Sequence, residues 1–180
     1  RLCDVHSALF HGSATDAQKL HAKDIQDQRL SAAAALIQIS GHPLQTFTLE
    51  NAALEKLIAR AKQVLENGTI NDGSLNELRQ IAIHYARKGD LLYPHLKVQY
   101  GISGPSAVMW TVDDEIRDEL NALAKQKDQK ETDAWKQRLN AVLTRMEEMI
   151  YKESNILFPN CALNFSEEEW YHIYRDAKDY

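Results

Sequence analysis

An all-α bundle is the fold class this sequence predicts, and three observations carry it. Four long stretches set apolar residues at helical spacing. Most of the four prolines and seven glycines punctuate those stretches. No run of alternating apolar and polar residues demands a strand. With 180 residues, 44 % of them hydrophobic and 26 % charged, the chain is long enough for one domain with a real core. Short links between long amphipathic helices argue for an up-down four-helix bundle with extra N- and C-terminal helices.

The elements follow in order. A short helix spans Arg1 to Phe10, with Leu2, Val5, Leu9 and Phe10 on one face, and His11-Gly12-Ser13 ends it. Thr15 to Ser40 is polar, then Ala-rich, and reads as a partly helical connection without a clean period. After Gly41-His42-Pro43 a long helix runs to about Glu66, with Phe47, Leu54, Leu57, Ile58, Ala61, Val64 and Leu65 as its stripe. Ser74 followed by Glu77 forms a capping box for a second helix that ends at the Tyr93-Pro94 pair. Residues 101–105 are the clearest loop, and Ser106 starts a third helix carrying Met109, Val112, Ile116, Leu120 and Leu123 inside. A fourth helix, from about Thr132 to Leu157, buries Trp135, Leu139, Val142, Leu143, Met146, Ile150 and Leu157. Ser166 to Glu169 caps a last helix that ends near Asp179. Residues 1–40 form an N-terminal helix and connection that pack on the bundle, and residues 41–180 form the bundle with its C-terminal helix.

Charge and composition exclude several classes. A net charge of −5 without a Lys/Arg cluster argues against nucleic acid as a partner. No apolar run approaches the roughly 20 residues of a membrane helix. The two cysteines, Cys3 and Cys161, make no disulfide framework, and a cytoplasmic location is the expectation. The first residue is Arg, which points to a piece of a longer chain or a processed one. No nucleophile arrangement or phosphate loop is present, so catalysis is the weakest reading and the chain is not expected to be an enzyme.

The chemistry lies in what interrupts the apolar stripes. Glu50 falls three after Phe47 and four before Leu54, on the inner face, and His42 lies two turns earlier. His84 is three after Ile81. Asp113 sits between Met109 and Ile116, and Glu153 between Ile150 and Leu157. His6 takes a similar place on the N-terminal helix. Burying an unpaired carboxylate costs several kcal/mol or forces protonation. Inward acids and histidines on four helices at once therefore point to convergence on something positive. An iron, manganese or zinc ion accepts imidazole and carboxylate together, and di-iron bundles arrange their ligands in this way. The candidate metal ligands are His42, Glu50, His84, Asp113, Glu153 and His6. Each has a plainer role open to it: a cap for His42, a core histidine for His84, internal ion pairs for Glu50 and Glu153, a solvated acidic face for Asp113.

Two segments echo each other. HYARKGDLLYP, His84 to Pro94, aligns with MIYKESNILFP, Met149 to Pro159, so that Tyr85 matches Ile150, Leu92 matches Leu157, Tyr93 matches Phe158 and Pro94 matches Pro159. Both read as helix ends that stop at an aromatic-proline pair. His84 falls opposite Met149, and Lys88 opposite Glu153.

These ends resemble the hemerythrin-like HHE cation-binding family, whose motif is His-x-x-x-Glu-Glu followed by a Leu-Phe-Pro-like stop. RLCDVHSALF, GHPLQTFTLEN, GISGPSAVMWTVDDEIR, KESNILFP and EEEW are similar to a branch in which the bundle follows a small helical domain and is often trailed by a PAS sensor domain. The resemblance implies a bundle with one or two non-heme iron ions, acting in oxygen or nitric-oxide sensing, oxygen binding, redox sensing or iron handling. His42 matches the first-helix histidine, His84 the histidine of one motif and Glu153 the acid of the other. Lys88 and Gly89 stand where the first motif has acids, Met149 where the second has histidine, and Asp113 and Asp114 where the third helix often has histidines. A single metal, a carboxylate-rich pair and a vestigial site are all compatible with that set, and reversible oxygen binding is not favoured.

The expected function is a cytoplasmic metal-binding sensor or regulatory bundle. Its partners would be a metal ion or small diatomic ligand, a PAS or other signalling domain of the same full-length chain, and a second copy in a homodimer. Two other readings stay open. One is a heme-binding sensor with His or His/Met ligation, with Met149 and Tyr85 beside the cofactor. The other is a metal-free interaction module.

Overall fold

The computed structural model describes residues 15–101 and 104–180, with only the backbone described at Gln99, Gly104 and Pro105. The N-terminal helix expected over Arg1 to Phe10, and His6 with it, lies outside the described residues.

The described residues form helices and no strand. In chain order they are α1 (Asp16–Ile37), α2 (Pro43–Asn67), α3 (Asp72–Arg79), α4 (Ile81–Leu91), α5 (Tyr93–Tyr100), α6 (Gly104–Lys125), α7 (Asp133–Lys152), a π-helical turn (Glu153–Leu157), α8 (Phe158–Asn164) and α9 (Glu167–Asp176). Four walls close the bundle: α2, the broken rod α3–α4–α5, α6, and α7 with its continuation α8. Each wall packs on the next, since α2 meets α3 and α4, these meet α6, α6 meets α7, and α7 returns to α2. Helix α1 lies along α8, and α9 crosses α2. No helix among the described residues is long and apolar enough to cross a membrane.

Local chemistry sets the helix starts. Helix α2 begins at Pro43, whose missing N–H costs nothing in the first turn, and the His42 side chain caps it. A capping box of Ser166 and Glu169 opens α9, as the sequence predicts. Helix α3 starts earlier than Ser74, because the Asn71 side chain accepts the Ser74 N–H at 2.7 Å and takes the capping role itself. Gly101 adopts φ 65° at the end of α5, the left-handed position that closes a helix and that a side chain would strain.

The core is the inner face of the four walls. From α2 it takes Leu44, Phe47, Leu54, Ile58 and Ala61; from α6, Met109, Ile116, Leu120 and Leu123; from α7, Trp135, Leu139, Val142, Leu143, Met146, Met149 and Ile150. The Trp135 indole N–H donates to the Leu123 carbonyl at 3.1 Å, which ties the lower ends of α6 and α7.

Three elements differ from the sequence reading. Residues 16–37 form one continuous helix, opened by a capping box of Thr15 and Gln18, where a partly helical connection is expected. It hides its identity because only Ala33 is fully buried, so it carries no apolar stripe. The aromatic-proline pairs do not end the walls of the bundle. Pro94 and Pro159 each sit in the first turn of a new helix that continues the wall. Pro159 also cannot donate to the Asn155 carbonyl four residues back. The wall widens into a π turn at this point, and the Gln26 amide of α1 donates to that carbonyl at 2.9 Å.

Candidate functional site

One buried polar cluster spans all four walls. Glu50 comes from the second turn of α2, His84 and Lys88 from one face of α4 at four-residue spacing, Asp113 from α6, and Glu153 from the first position of the π turn. His84, Lys88, Asp113 and Glu153 are all buried, and Lys88 and Glu153 are wholly shut off from solvent.

The hydrogen bonds form a chain. Arg87 pairs with Glu50. The other Glu50 oxygen lies 2.6 Å from His84 Nδ1, and His84 Nε2 lies 2.6 Å from Glu153 Oε1. The Asn51 amide also donates to Glu153 Oε1, at 3.2 Å. The Lys88 ammonium donates to Glu153 Oε2 at 3.0 Å and to Asp113 Oδ1 at 2.8 Å. The Tyr93 hydroxyl donates to Asp113 Oδ2 at 3.0 Å. The remaining side of the ammonium faces the Tyr85 ring, 4.5 Å from its centroid. Arg87, Lys88 and His84 thus face Glu50, Asp113 and Glu153, three positive groups against three carboxylates.

Electrostatics follow from this pairing. Both ring nitrogens of His84 sit against carboxylate oxygens, so both must donate, and the ring is an imidazolium. Burial alone would lower its pKa, but the Glu153 charge and the bonds to Glu153 and Glu50 outweigh it and raise the value to about 9. Burial pushes Glu153 up, and Lys88 and His84 overcome that push and hold its carboxyl at about 2. At Asp113 burial wins: the carboxyl is raised to about 6 despite Lys88 and Tyr93. Glu50, nearer the surface, is also desolvated, yet His84 and Arg87 leave it below its ordinary value. The Tyr85 phenol is raised well above its usual range by burial and by the charges of Glu153 and Asp113.

Of the residues singled out in the sequence, Glu50, His84, Asp113 and Glu153 are brought together. His42 is not in this cluster. Its Nδ1 accepts the Leu44 N–H at 3.0 Å, and its ring packs at 4.6 Å from the Trp170 ring. Since Nδ1 is an acceptor, the proton of the neutral ring is on Nε2, which leaves no lone pair there for a metal. Met149 is buried within the hydrophobic core, and the Tyr85 hydroxyl is buried without a hydrogen-bond partner.

Sequence reasoning did not assign Lys88, Asn51, Arg87 or Tyr93 to the site. Two of them had a signal. Asn51 is four after Phe47 on the buried stripe, and Lys88 is four after His84, so helical phase alone turns both inward.

The residues present do not fit a resident metal ion as they stand. An imidazolium that donates from both nitrogens cannot ligate, and the point where Asp113 and Glu153 converge holds the Lys88 ammonium. Among the described residues no group of three or more His, Cys, Asp and Glu side chains is arranged to hold a metal ion. The same imidazolium leaves His84 without a nitrogen for heme iron.

The family model of the hemerythrin HHE cation-binding domain matches residues 42–161. No curated protein matches the chain.

Proposed function

Because the chain belongs to the hemerythrin HHE cation-binding family, whose membership implies a metal cation in the bundle, we propose that it is a regulatory or sensor module whose cluster has become metal-independent. The observation that supports this reading is the state of His84. The one histidine of the cluster among the described residues donates from both nitrogens to carboxylates, so it serves the fold as a cation and offers no electron pair to a metal. Such a bundle acts through how its walls pack, and it passes that state to whatever shares its chain or surface. A PAS or other signalling domain in the full-length protein is the partner this role calls for.

Family membership favours a second reading, an iron-loaded sensor of oxygen, nitric oxide, redox state or iron itself. One experiment separates the two. The protein is purified without added metal, exposed to Fe(II) anaerobically, desalted and oxidised. Metal content and the absorption spectrum are then recorded. The metal-independent reading expects substoichiometric iron, no oxo-bridged bands in the near ultraviolet and no Soret band. One or two tightly held iron ions per chain would replace it with the iron sensor, and a sharp Soret band with the heme reading.

A further inference from the structure

We propose that the Lys88 ammonium is a tethered cation standing where three walls of the bundle converge, and that it closes a latent divalent-cation site whose first ligands are Asp113 and Glu153. The inference rests on the metal-independent reading above and adds the identity of the blocking group.

The geometry carries it. Lys88 is among the largest wholly buried side chains of the protein. Its ammonium bridges carboxylates from two different walls, at 2.8 Å from Asp113 and 3.0 Å from Glu153, with the Tyr85 ring closing a third side at 4.5 Å. A divalent first-row ion binds carboxylate oxygens at about 2.0–2.2 Å, so each carboxylate would have to close in by less than about 1 Å to replace N–H···O contacts with metal bonds. Removing the ammonium leaves the cluster one negative charge in excess, which either a proton on Asp113 or an incoming cation must neutralise, and added cation competes with the proton for that place. Two clefts reach the edges of the cluster, though Lys88 and Glu153 line neither of them. A cleft of about 320 Å³ reaches Glu50 and His84 from one side, and one of about 160 Å³ reaches Tyr85 and Asp113 from another.

The test is chemical rescue. Wild type, Lys88→Ala and Lys88→Ala/Asp113→Asn are stripped with EDTA, and their thermal midpoints are recorded with and without millimolar Mn(II), Zn(II) or ethylammonium. Lys88→Ala is expected to melt roughly 10 °C below wild type, the scale of breaking a buried ion pair in a domain of this size. Mn(II) or Zn(II), and ethylammonium as a detached lysine head, should each restore at least half of that loss. Wild type should not respond, and the double variant should lose the rescue. If Lys88→Ala does not fold alone, refolding is followed by far-ultraviolet circular dichroism. Helix that returns only with an added cation supports the proposal, and failure with every cation overturns it. A Lys88→Ala protein that folds and ignores all three cations overturns the tethered-cation inference while leaving the metal-independent reading intact. Tight, stoichiometric metal on wild type removes both.

Discussion

The two helix ends that echo each other in sequence meet at the cluster with opposite charge. The α4 end brings cations: the His84 imidazolium, the Lys88 ammonium, and the Tyr93 hydroxyl as a further donor. The α7 end brings Glu153, the acceptor for His84, Lys88 and Asn51, while Met149 opposite His84 is a core residue. Their aromatic-proline pairs have diverged in the same sense. Tyr93 reaches across to Asp113, whereas Phe158 stacks on Phe47 with centroids 5.6 Å apart. Two ends built alike to share an ion would each offer imidazole and carboxylate. Here one has become the donor wall and the other the acceptor wall, and the walls bind each other directly.

That asymmetry is open to attack, most strongly from the acceptor side. Glu153→Ala takes from Lys88 and from the His84 imidazolium one of the two carboxylates each is paired with, and removing one partner of a buried pair costs about 3–5 kcal/mol. Chemical denaturation should show a loss of that size with helical content kept below the transition. A loss under about 1 kcal/mol would mean that the walls are held by apolar packing alone.

Titration tests the same pairing without mutation. His84 is raised from 6.5 to about 9, so its contribution is complete below pH 6.5 and is lost as pH rises through 9. Glu153 is depressed from 4.5 to about 2, so its contribution is complete above pH 4.5 and is lost as pH falls through 2. Asp113 runs the other way. Raised from 3.8 to about 6, it takes up a proton in the folded state between those values and offsets part of the acid-side loss. The thermal midpoint should therefore be highest between about pH 4.5 and 6.5 and drop by several degrees by pH 9.5. In His84→Gln the alkaline decline should flatten.

The smallest expected effect falls on the outer link of the donor wall. Tyr93→Phe removes one hydrogen bond to Asp113 while the ring stays in the core, a loss of about 1–2 kcal/mol in equilibrium unfolding. A larger loss would place Tyr93 with Lys88 as a principal holder of Asp113.

Much of this arrangement is legible in the sequence, for a specific reason. Wide apolar stripes on α2, α6 and α7 set the phase of each helix, and that phase turns Glu50, Asp113 and Glu153 inward. What phase does not tell is which inward groups will pair. Lys88 is a departure from the family motif, yet only the fold shows that its ammonium reaches Asp113 and Glu153, residues 25 and 65 positions away. Helix α1 is hard to read because Ala33 is its one fully buried residue and its other apolar contacts with the core, Leu36 and Ile37, crowd its last turn, so it lacks the apolar period that marks its neighbours. The π turn was invisible because it depends on where Pro159 falls against Asn155 and on a partner, Gln26, 129 residues away in sequence.

That last contact has a mechanical consequence. The Gln26 amide holds a carbonyl inside the same five-residue turn that begins with Glu153. A pull on α1 is therefore a pull on the segment that seats the acceptor wall, and helix α1 is the lever. Force or docking applied far from the cluster would be felt there as a change in how firmly one carboxylate is held.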